Sequence, residues 1–362
     1  MVGGSMSRAG METFIMNVYR NIDTTKYQFD FLVHSDKTGD FDEEILKNGG
    51  RIYRIITDRS KIYPLRVFKR FWDTHKLLRG QKKYDAIHIH TSAATSLVKL
   101  LAAYFSGCTI RIVHSHSTST NKSKLHNLFY WLMKSFSTHR YACSEQAGIW
   151  MFGKAFNNLK NAKVVYNGID TRVFYFDLNK QRNAKEAFGL ADRFVIGHVG
   201  RFSEVKNHGF LLDVFYQLYN KNQNAFLLLI GDGELRKNME DKVKQLNISH
   251  CVKFAGIRTD IDELLLAMDV MLFPSLYEGL PVTLIEAQAT GLKIIASDTV
   301  SREADLTGLV TFVSLEKSPT AWAEILEEEA QYIRKDQRES IKEAKYDIRS
   351  ITDELCSVYE QK

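Results

Sequence analysis

FPSLYEGLPVTLIEA, residues 273–287, is the segment of this sequence that says most about the fold. The apolar run that ends at Phe273 predicts a buried strand. Pro281 predicts the first turn of a helix, where its missing N–H costs nothing. Gly279, between them, lets the backbone come close to a ligand. A strand that leads through a loop into a helix N-terminus presents free N–H groups and a positive dipole to a phosphate. The segment therefore predicts an α/β domain with an anion site.

Two carboxylates lie in this segment. Glu278 is in the loop before the predicted helix, and Glu286 is in the second turn, so the two do not stack on one face. Each can accept hydrogen bonds from sugar hydroxyls, on opposite sides of a bound phosphate. The alternative is two ordinary surface acids, which the strand, glycine and proline around them make less favoured.

β-rich runs alternate with helical patterns along the whole chain, which is typical of parallel α/β architecture. The runs form two series, with the turn-forming segment 167–170 between them. We predict an α/β fold of two Rossmann-like, doubly wound domains facing a central cleft. The expected bounds are 1–166 and 167–340, followed by a helix over 341–362. The predicted strands are Tyr27–Val33, Arg51–Ile55, Ala86–His90, Thr109–Val113, Arg140–Cys143 and Lys163–Tyr166 in the first series, and Phe194–Val199, Phe226–Ile230, Val252–Ala255, Val270–Phe273, Ile294–Ser297 and Leu309–Val313 in the second.

The start of the chain departs from this plan. A glycine-rich loop over 3–10, which includes Ala9 and Gly10, precedes a helical pattern, but only Met1 and Val2 come before the loop. A doubly wound domain needs a strand there. We therefore expect the first strand of the N-terminal domain to be missing from this sequence, which leaves a truncated and inactive remnant as one alternative.

A second anion-binding segment follows the predicted strand 194–199. Arg201 offers bidentate contacts to a diphosphate and Lys206 offers a point charge. Such residues in a loop are often merely solvated. Their position after a strand end, in the same domain as Glu278, favours binding.

Metal and redox cofactors are not expected. Asp40-Phe41-Asp42 and Asp260-Ile261-Asp262 resemble metal-binding D-x-D triplets, but neither adjoins the two-glutamate segment. The four cysteines are far apart and have no metal-like spacing, as in a protein of a reducing compartment. No G-x-G-x-x-G follows either first strand, which argues against a dinucleotide-dependent dehydrogenase.

Histidines mark the end of a predicted strand in the first half. His114, and less strongly His116, lie where the strand over 109–113 runs into its loop, and ligands collect beyond such ends in open parallel sheets. We expect His114 to contact a transferred group. His88 and His90 fit a structural role.

The net charge of +6 is unevenly distributed. Residues 1–165 carry a net +13 and residues 166–362 a net −7. The basic region 51–83 interleaves arginines and lysines with aromatic residues, so it predicts either peripheral contact with an anionic membrane or a solvated helix packed on its own domain. No nucleic-acid-binding motif accompanies the charge. Without a signal peptide or an apolar run of about 18 residues, a cytoplasmic protein is expected.

Together these segments resemble glycosyltransferase family 4. The resemblance rests on the E-x7-E of Glu278 and Glu286, on G-R-F-x-x-x-K at 200–206, on N-G-I-D at 167–170, and on the early loop that ends A-G-M-E at 9–12. These segments span most of the chain in the family's order. Within the family the chain is most similar to bacterial capsular and exopolysaccharide glycosyltransferases.

The resemblance implies a GT-B fold, retention of anomeric configuration, no metal, and a final helix that crosses back to the N-terminal domain. It implies that a nucleotide sugar, commonly a UDP-sugar, donates a hexose or N-acetylhexosamine to a glycan or polyprenyl-linked acceptor. A GT-B epimerase or phosphorylase would have the same clefts and stays an alternative. The implied roles are diphosphate binding by Arg201, Lys206, Gly279 and Leu280, ribose binding by Glu286, base binding by Arg258 and Ile257, and sugar contacts by Glu278 and His114. Ala9 replaces one glycine of the family's usual early Gly-Gly.

Overall fold

The chain forms two compact units, each of which is described by itself. Unit 1 consists of Met1–Gly168 with Ile348–Lys362, and unit 2 consists of Ile169–Asp347. The structure is a computed structural model that describes residues 1, 5–7, 9–56, 63–80, 84–91, 96–116 and 126–361. No helix among these residues is long and apolar enough to cross a bilayer.

Eleven of the twelve strands in the described residues begin and end within two residues of a predicted strand, and the first begins four residues later than predicted, at Phe31 instead of Tyr27. All twelve pair in parallel. The strands are β1 (Phe31–Val33), β2 (Ile52–Arg54), β3 (Ala86–Thr91), β4 (Ile110–Ser115), β5 (His139–Ala142), β6 (Ala162–Val164), β7 (Phe194–Val199), β8 (Ala225–Ile230), β9 (Val252–Gly256), β10 (Val270–Phe273), β11 (Lys293–Ser297) and β12 (Val310–Val313).

Helices connect these strands, as parallel pairing requires. They are α1 (Gly10–Asn21), α2 (Asp42–Lys47), α3 (Tyr63–Leu78), α4 (Leu97–Phe105), α5 (His126–Phe136), α6 (Glu145–Phe152), α7 (Leu178–Ala187), α8 (His208–Lys221), α9 (Arg236–Gln245), α10 (Ile261–Ala267), α11 (Val282–Ala289), α12 (Pro319–Glu329), α13 (Arg338–Glu343) and α14 (Ile348–Tyr359). Several begin at a side chain that accepts an N–H bond, such as Ser144 before α6 and Ser318 before α12.

Unit 1 contains a four-stranded sheet in the order β3-β4-β5-β6 and the pair β1-β2. α1 and the C-terminal helix α14 share one apolar cluster, in which Phe14, Ile348 and Leu355 are buried. The missing first strand predicted for this unit concerns residues 1 and 2. Val2 lies outside the described residues, and the carbonyl of Met1 accepts a bond of 2.9 Å from the N–H of Leu32 in β1.

Unit 2 contains a six-stranded sheet in the order β12-β11-β10-β7-β8-β9. From β7 the chain builds outwards to β8 and β9, then returns to the centre and builds the other way from β10. The order of connection therefore reverses between β7 and β10. This is the doubly wound arrangement in which ligands bind outside the carboxyl ends of the central strands.

Candidate active site

Two predicted anion-binding loops leave the second sheet side by side. β7 and β10 are hydrogen-bonded neighbours, with Val270 paired to Ile196 and Met271 to Gly197. The loop over 200–207 follows β7 and the loop over 274–281 follows β10. A backbone bond of 2.8 Å from the N–H of Leu276 to the carbonyl of Val205 joins them. Residues far apart in sequence thus meet at the point where the strand order reverses.

Lys206 and Glu278 form an ion pair across these two loops. The Lys206 Nζ lies 2.7 Å from a carboxylate oxygen of Glu278, and the two side chains are only 16% and 23% exposed. The same ammonium group lies 4.4 Å from the centre of the Phe273 ring, at the end of β10. The site therefore places a cation and a carboxylate together in a largely buried position, where electrostatic interactions are stronger than in bulk water.

The loop that carries Glu278 is fastened to the segment after β11. The carbonyl of Ser275 accepts bonds from the hydroxyls of Ser297 (2.5 Å) and Thr299 (2.8 Å). The carbonyl of Glu278 accepts a bond of 3.2 Å from the N–H of Ser301. These backbone attachments hold the carboxylate in place independently of its ion pair.

The start of α11 adjoins the ion pair in sequence and leaves room for a ligand. Pro281 occupies the N-cap with φ −71° and ψ 116°, directly before the first turn in which it was predicted. No side chain caps this helix end. A Cβ added to Gly279 would meet no atom within 4 Å, so packing does not explain this glycine. The backbone N–H groups of Gly279, Leu280, Val282 and Thr283 are the donors that this end of the helix can offer an anion, since Pro281 has none.

Glu286 lies in the second turn of α11, as predicted. Burial raises the pKa of its carboxyl to about 7, and the charge of Asp262 at the start of α10 adds to the effect. Near neutral pH this carboxyl is therefore divided between its two protonation states, and it can donate as well as accept a hydrogen bond.

Arg201 is more exposed than its predicted partners. Its side chain is 73% exposed and its Nη2 lies 3.1 Å from a carboxylate oxygen of Glu234. Glu234 was not predicted, although the segment GDGE at 231–234 directly after β8 is a detectable signal. Gly231 has φ +131°, and a Cβ there would lie 2.1 Å from the carbonyl oxygen of Gly200. The loops after β7 and β8 therefore pack backbone against backbone.

A pair of buried histidines that the sequence did not reveal supports the loop after β7. The His198 Nδ1 lies 2.9 Å from the carbonyl oxygen of Leu272, and the His198 ring meets His208 edge-on at 4.8 Å. His208 stacks on Phe202 at 4.1 Å. Burial lowers the pKa of His198 well below its ordinary value and that of His208 to about 4, so both rings are neutral at pH 7.

The predicted base-binding residues follow β9, the edge strand beside β8. Ile257 is 66% exposed. The Arg258 guanidinium forms two bonds to the carboxylate of Asp260, one of them 2.8 Å long from Nε. They lie in the same unit as the Lys206–Glu278 pair but are not brought into contact with it.

In unit 1, His114 lies inside a cluster of four histidines on β3 and β4. It is fully buried, and its Nδ1 lies 3.3 Å from Nε2 of His88. His116, just past the end of β4, is partly exposed, and its Nε2 lies 2.9 Å from Nδ1 of His90. Burial lowers the pKa of His114 well below its ordinary value and that of His116 to about 3. These contacts make the cluster part of the unit's interior, with His116 at its accessible end.

The histidine cluster also contains the one group of side chains among the described residues whose spacing could hold a metal ion. One ring nitrogen from each of His88, His90 and His114 lies within 4.8 Å of the others. Ring-to-ring bonds and the packing of Phe14 against three of the rings already account for the arrangement.

The predicted N-terminal loop residues lie at the beginning of α1. Ala9 is the N-cap, with φ −141° and ψ 165°, and no side chain caps the helix. Ala9 and Gly10 are exposed, and a Cβ on Gly10 would meet nothing within 4 Å. This helix end is open, like that of α11. The remaining loop residues at 3–4 and 8 lie outside the described residues.

Comparison with known proteins agrees with this geometry. Residues 8–173 match the model Glycosyltransferase Family 4, and residues 180–345 match Glycosyl transferases group 1. The putative glycosyltransferase EpsF of Bacillus subtilis (strain 168) is 38% identical over 98% of this chain and 94% of its own length. The UDP-Gal:alpha-D-GlcNAc-diphosphoundecaprenol alpha-1,3-galactosyltransferase of Escherichia coli is 29% identical over 75% of this chain and 72% of its own.

Among solved structures, Anabaena HepE in complex with UDP and glucose superposes with a TM-score of 0.72 at 19% identity, over 98% of this chain and 97% of that one. Two parallel-sheet units with anion-binding loops define a GT-B glycosyltransferase, and the predicted fold is confirmed. Within this class the chain belongs to glycosyltransferase family 4.

Proposed function

We propose that this enzyme transfers a hexose or N-acetylhexosamine from a UDP-sugar to a glycan or lipid-linked acceptor in surface polysaccharide synthesis, with retention and without a metal. The observation that carries the proposal is the Lys206–Glu278 pair, 2.7 Å apart, where the strand order reverses and α11 begins. A cation and free N–H groups suit a diphosphate. A carboxylate beside them suits the hydroxyls of the attached sugar.

Retention is expected to proceed by same-face substitution. The bond from the anomeric carbon to the diphosphate breaks while the acceptor oxygen bonds to that carbon on the same face, and the acceptor proton passes to the departing diphosphate. Lys206, Arg201 and the N–H groups of Gly279 and Leu280 would stabilise the leaving negative charge. Arg201 would exchange Glu234 for the diphosphate, which costs little because that pair is exposed.

In each of the two D-x-D triplets one carboxylate already binds an arginine, which supports metal independence. Asp260 is bonded to Arg258, and Asp42 is paired with Arg54. Carboxylates that hold an arginine are poorly placed to bind a divalent cation as well. The cationic Lys206 and Arg201 would neutralise the diphosphate instead.

For the nucleoside, we propose that Glu286 binds the ribose hydroxyls and that Ile257 and Arg258 border the base. The preference for UDP is supported by the names of two similar proteins, the E. coli enzyme that uses UDP-Gal and HepE crystallised with UDP and glucose.

The acceptor side is assigned to unit 1. The name of the E. coli relative specifies a sugar on diphosphoundecaprenol, and the net +13 of residues 1–165 suits such an anionic lipid-linked acceptor. Ala9 and Gly10, at the open end of α1, would face the substrates. His114 is the proposed sugar contact, but only His116 has exposed surface here, so His114→Ala and His116→Ala should be compared.

The test is hydrolysis of a panel of UDP- and GDP-sugars by the purified protein in EDTA, with released nucleoside diphosphate measured. Slow release from one donor, abolished by Glu278→Ala, is the expected result. Dependence on added metal would contradict metal independence, and appearance of an epimerised sugar would identify a GT-B epimerase. Failure to bind any nucleotide by calorimetry would favour the inactive remnant.

A further inference from the structure

Helices α3, α4 and α5 of unit 1 expose an unusual amount of apolar surface. Of the fifteen large apolar side chains that are exposed among the described residues, seven lie on these three helices. We call them the aromatic face: Leu65, Phe68, Trp72, Tyr104, Phe105, Leu128 and Trp131.

The residues of α3 form a stripe at helical spacing. Leu65, Phe68 and Trp72 follow one another at intervals of three and four, so they lie on one side of the helix. The Phe68 and Trp72 rings are stacked with centres 6.4 Å apart and are 65% and 55% exposed. Stacked rings that remain in solvent cover each other only partly. Transfer of their exposed surface from water into an apolar phase is therefore favourable.

The stripe continues onto the neighbouring helices. Phe71 of α3 meets Phe105 at the end of α4, with ring centres 6.1 Å apart. On α5, Leu128 and Trp131 are one turn apart and are 52% and 58% exposed. Tyr104 of α4 in turn meets Phe136 of α5, with ring centres 4.9 Å apart. Exposed apolar side chains gathered on three helices that contact one another indicate an interaction surface rather than scattered exposed residues.

Positive charge borders the aromatic face. α3 carries Arg66, Lys69, Arg70 and Lys76, and its one acidic residue is Asp73, which pairs with Lys69. Lys76, and Arg79 just beyond the helix, are exposed and form no ion pair with a described residue. The predicted basic region 51–83 includes 57–62 and 81–83, which lie outside the described residues.

We infer that the aromatic face docks in the interfacial layer of an anionic lipid bilayer. Tryptophan and phenylalanine side chains partition into the headgroup layer, and lysine and arginine beside them attract anionic lipids. The exposed rings suit the interfacial layer of a bilayer, and Lys76 and Arg79 suit its anionic headgroups. This docking would hold unit 1 where a lipid-linked acceptor lies. Only this link to the acceptor rests on the proposed function; the docking itself does not.

Binding of the purified full chain to vesicles tests the inference without any sugar transfer. Wild-type protein should co-sediment with vesicles that contain phosphatidylglycerol, bind vesicles of phosphatidylcholine alone much less, and lose binding as salt is raised. The variant Phe68→Ala/Trp72→Ala/Trp131→Ala should bind at least about tenfold more weakly. The matched control is Leu178→Ala/Ile333→Ala, which removes exposed apolar side chains (52% and 79%) from unit 2 and should bind like wild type.

Quenching by brominated lipids locates the contact. Trp72 and Trp131 should be quenched, whereas the fully buried Trp322 should not. Donor hydrolysis in solution by the triple variant should equal that of wild type, which separates failure of this inference from failure of the proposed function. Equal vesicle binding by the triple variant and wild type would overturn the inference. So would the absence of wild-type binding, or a dimer that the triple substitution dissociates.

Discussion

Lys206 lies between a carboxylate and an aromatic ring, 2.7 Å from Glu278 and 4.4 Å from the centre of Phe273, so its ammonium group has a fixed position. If it stabilises the departing diphosphate, Lys206→Ala should lower kcat by about a hundredfold or more, as removal of other preorganised charge-stabilising groups does. Steady-state kinetics with the donor identified in the hydrolysis panel measure the change.

The chain provides a closely matched control for this substitution. Lys185 and Asp269 form an ion pair of the same length, 2.7 Å, with 16% and 24% exposure, but at the opposite ends of the strands, where Asp269 also accepts a bond from the N–H of Val195. Lys185→Ala should cost about 1–2 kcal/mol of stability and leave kcat unchanged. A near-normal kcat in Lys206→Ala, or equal losses in both variants, would contradict the assignment.

Glu286 should give donor binding a pH dependence near neutrality. The pKa of its carboxyl is raised to about 7, so the group is neutral below that pH and charged above it. A charged carboxylate accepts stronger hydrogen bonds from ribose hydroxyls. Affinity for a UDP-sugar, whose diphosphate does not titrate between pH 6 and 8, should therefore rise over that range when measured by calorimetry, and Glu286→Gln should remove this rise.

Asp262→Asn distinguishes the cause of this shift. The Asp262 charge contributes to the raised pKa of Glu286, so its removal should move the midpoint of the affinity change to lower pH without abolishing it. An unchanged pH profile in Glu286→Gln would assign the titration to another group and leave ribose binding without support.

Among the secondary-structure elements, buried strands were the most predictable. The predictions 194–199 and 270–273 coincide with β7 and β10, because continuous apolar runs bounded by turn residues indicate strands covered on both faces. The two loops at their ends could be chosen as the site for the same reason, since parallel strands put their carboxyl ends at one edge.

Pairings between loops could not be predicted, because they depend on strand order. The sequence indicated Lys206 and Glu278 separately and gave them different roles, but not their ion pair, which exists because β10 returns beside β7. The same holds for Glu234, which reaches Arg201 from the loop after β8. Burial was also hidden: His114 lies inside β4, one residue before its end, rather than in the loop after it, and Phe14 of α1 covers it.

Close backbone packing between the loops after β7 and β8 gives a prediction at this scale. Gly231→Ala would bring a Cβ to 2.1 Å from the carbonyl oxygen of Gly200, at a φ of +131° that L-residues rarely adopt. The loop that carries Arg201 and Lys206 would have to move. We expect a loss of about 1–3 kcal/mol in stability together with reduced kcat, by thermal melting and kinetics.

Gly308→Ala separates the two effects. Gly308 also has a positive φ, +75°, but a Cβ there would meet nothing within 4 Å. Its substitution should lower the melting temperature through backbone strain and leave kcat intact. If Gly231→Ala also leaves kcat intact, the position of the loop after β7 does not limit the reaction.

Across the whole molecule, buried histidines are unevenly shared between the two units. Unit 1 holds six histidines with lowered pKa values and unit 2 holds two, all of them lowered chiefly by burial: His34, His88, His90, His114, His116 and His139, then His198 and His208. Below about pH 6.5 the unfolded chain binds protons at these groups that the folded chain does not. Their contribution to stability is therefore complete above pH 6.5 and falls as the pH is lowered towards the folded values of about 3 to 4.

Unit 1 should consequently unfold first on acidification. Each such histidine lowers the free energy of unfolding by up to about 1.4 kcal/mol per pH unit in this window, so the six of unit 1 give up to about 8 and the two of unit 2 up to about 3 kcal/mol per pH unit. Tryptophan fluorescence separates the units, since Trp72, Trp131 and Trp150 lie in unit 1 and Trp322 in unit 2. The variant Trp322→Phe reports unit 1, and replacement of the other three by phenylalanine reports unit 2.

Urea unfolding of these two reporters at pH 8, 6 and 5 measures the slopes. The same measurements are made after His116→Asn is added to both reporters. At pH 8 the histidines are neutral in the folded and unfolded states, so this substitution should not change the pH dependence of unfolding there. Between pH 6 and 5 it should reduce the slope of unit 1 by about one proton, because His116, with a folded pKa of about 3, no longer titrates. A steeper slope for unit 2 than for unit 1, or one that His116→Asn leaves unaltered, would show that carboxylates and not buried histidines govern the acid limit of this fold.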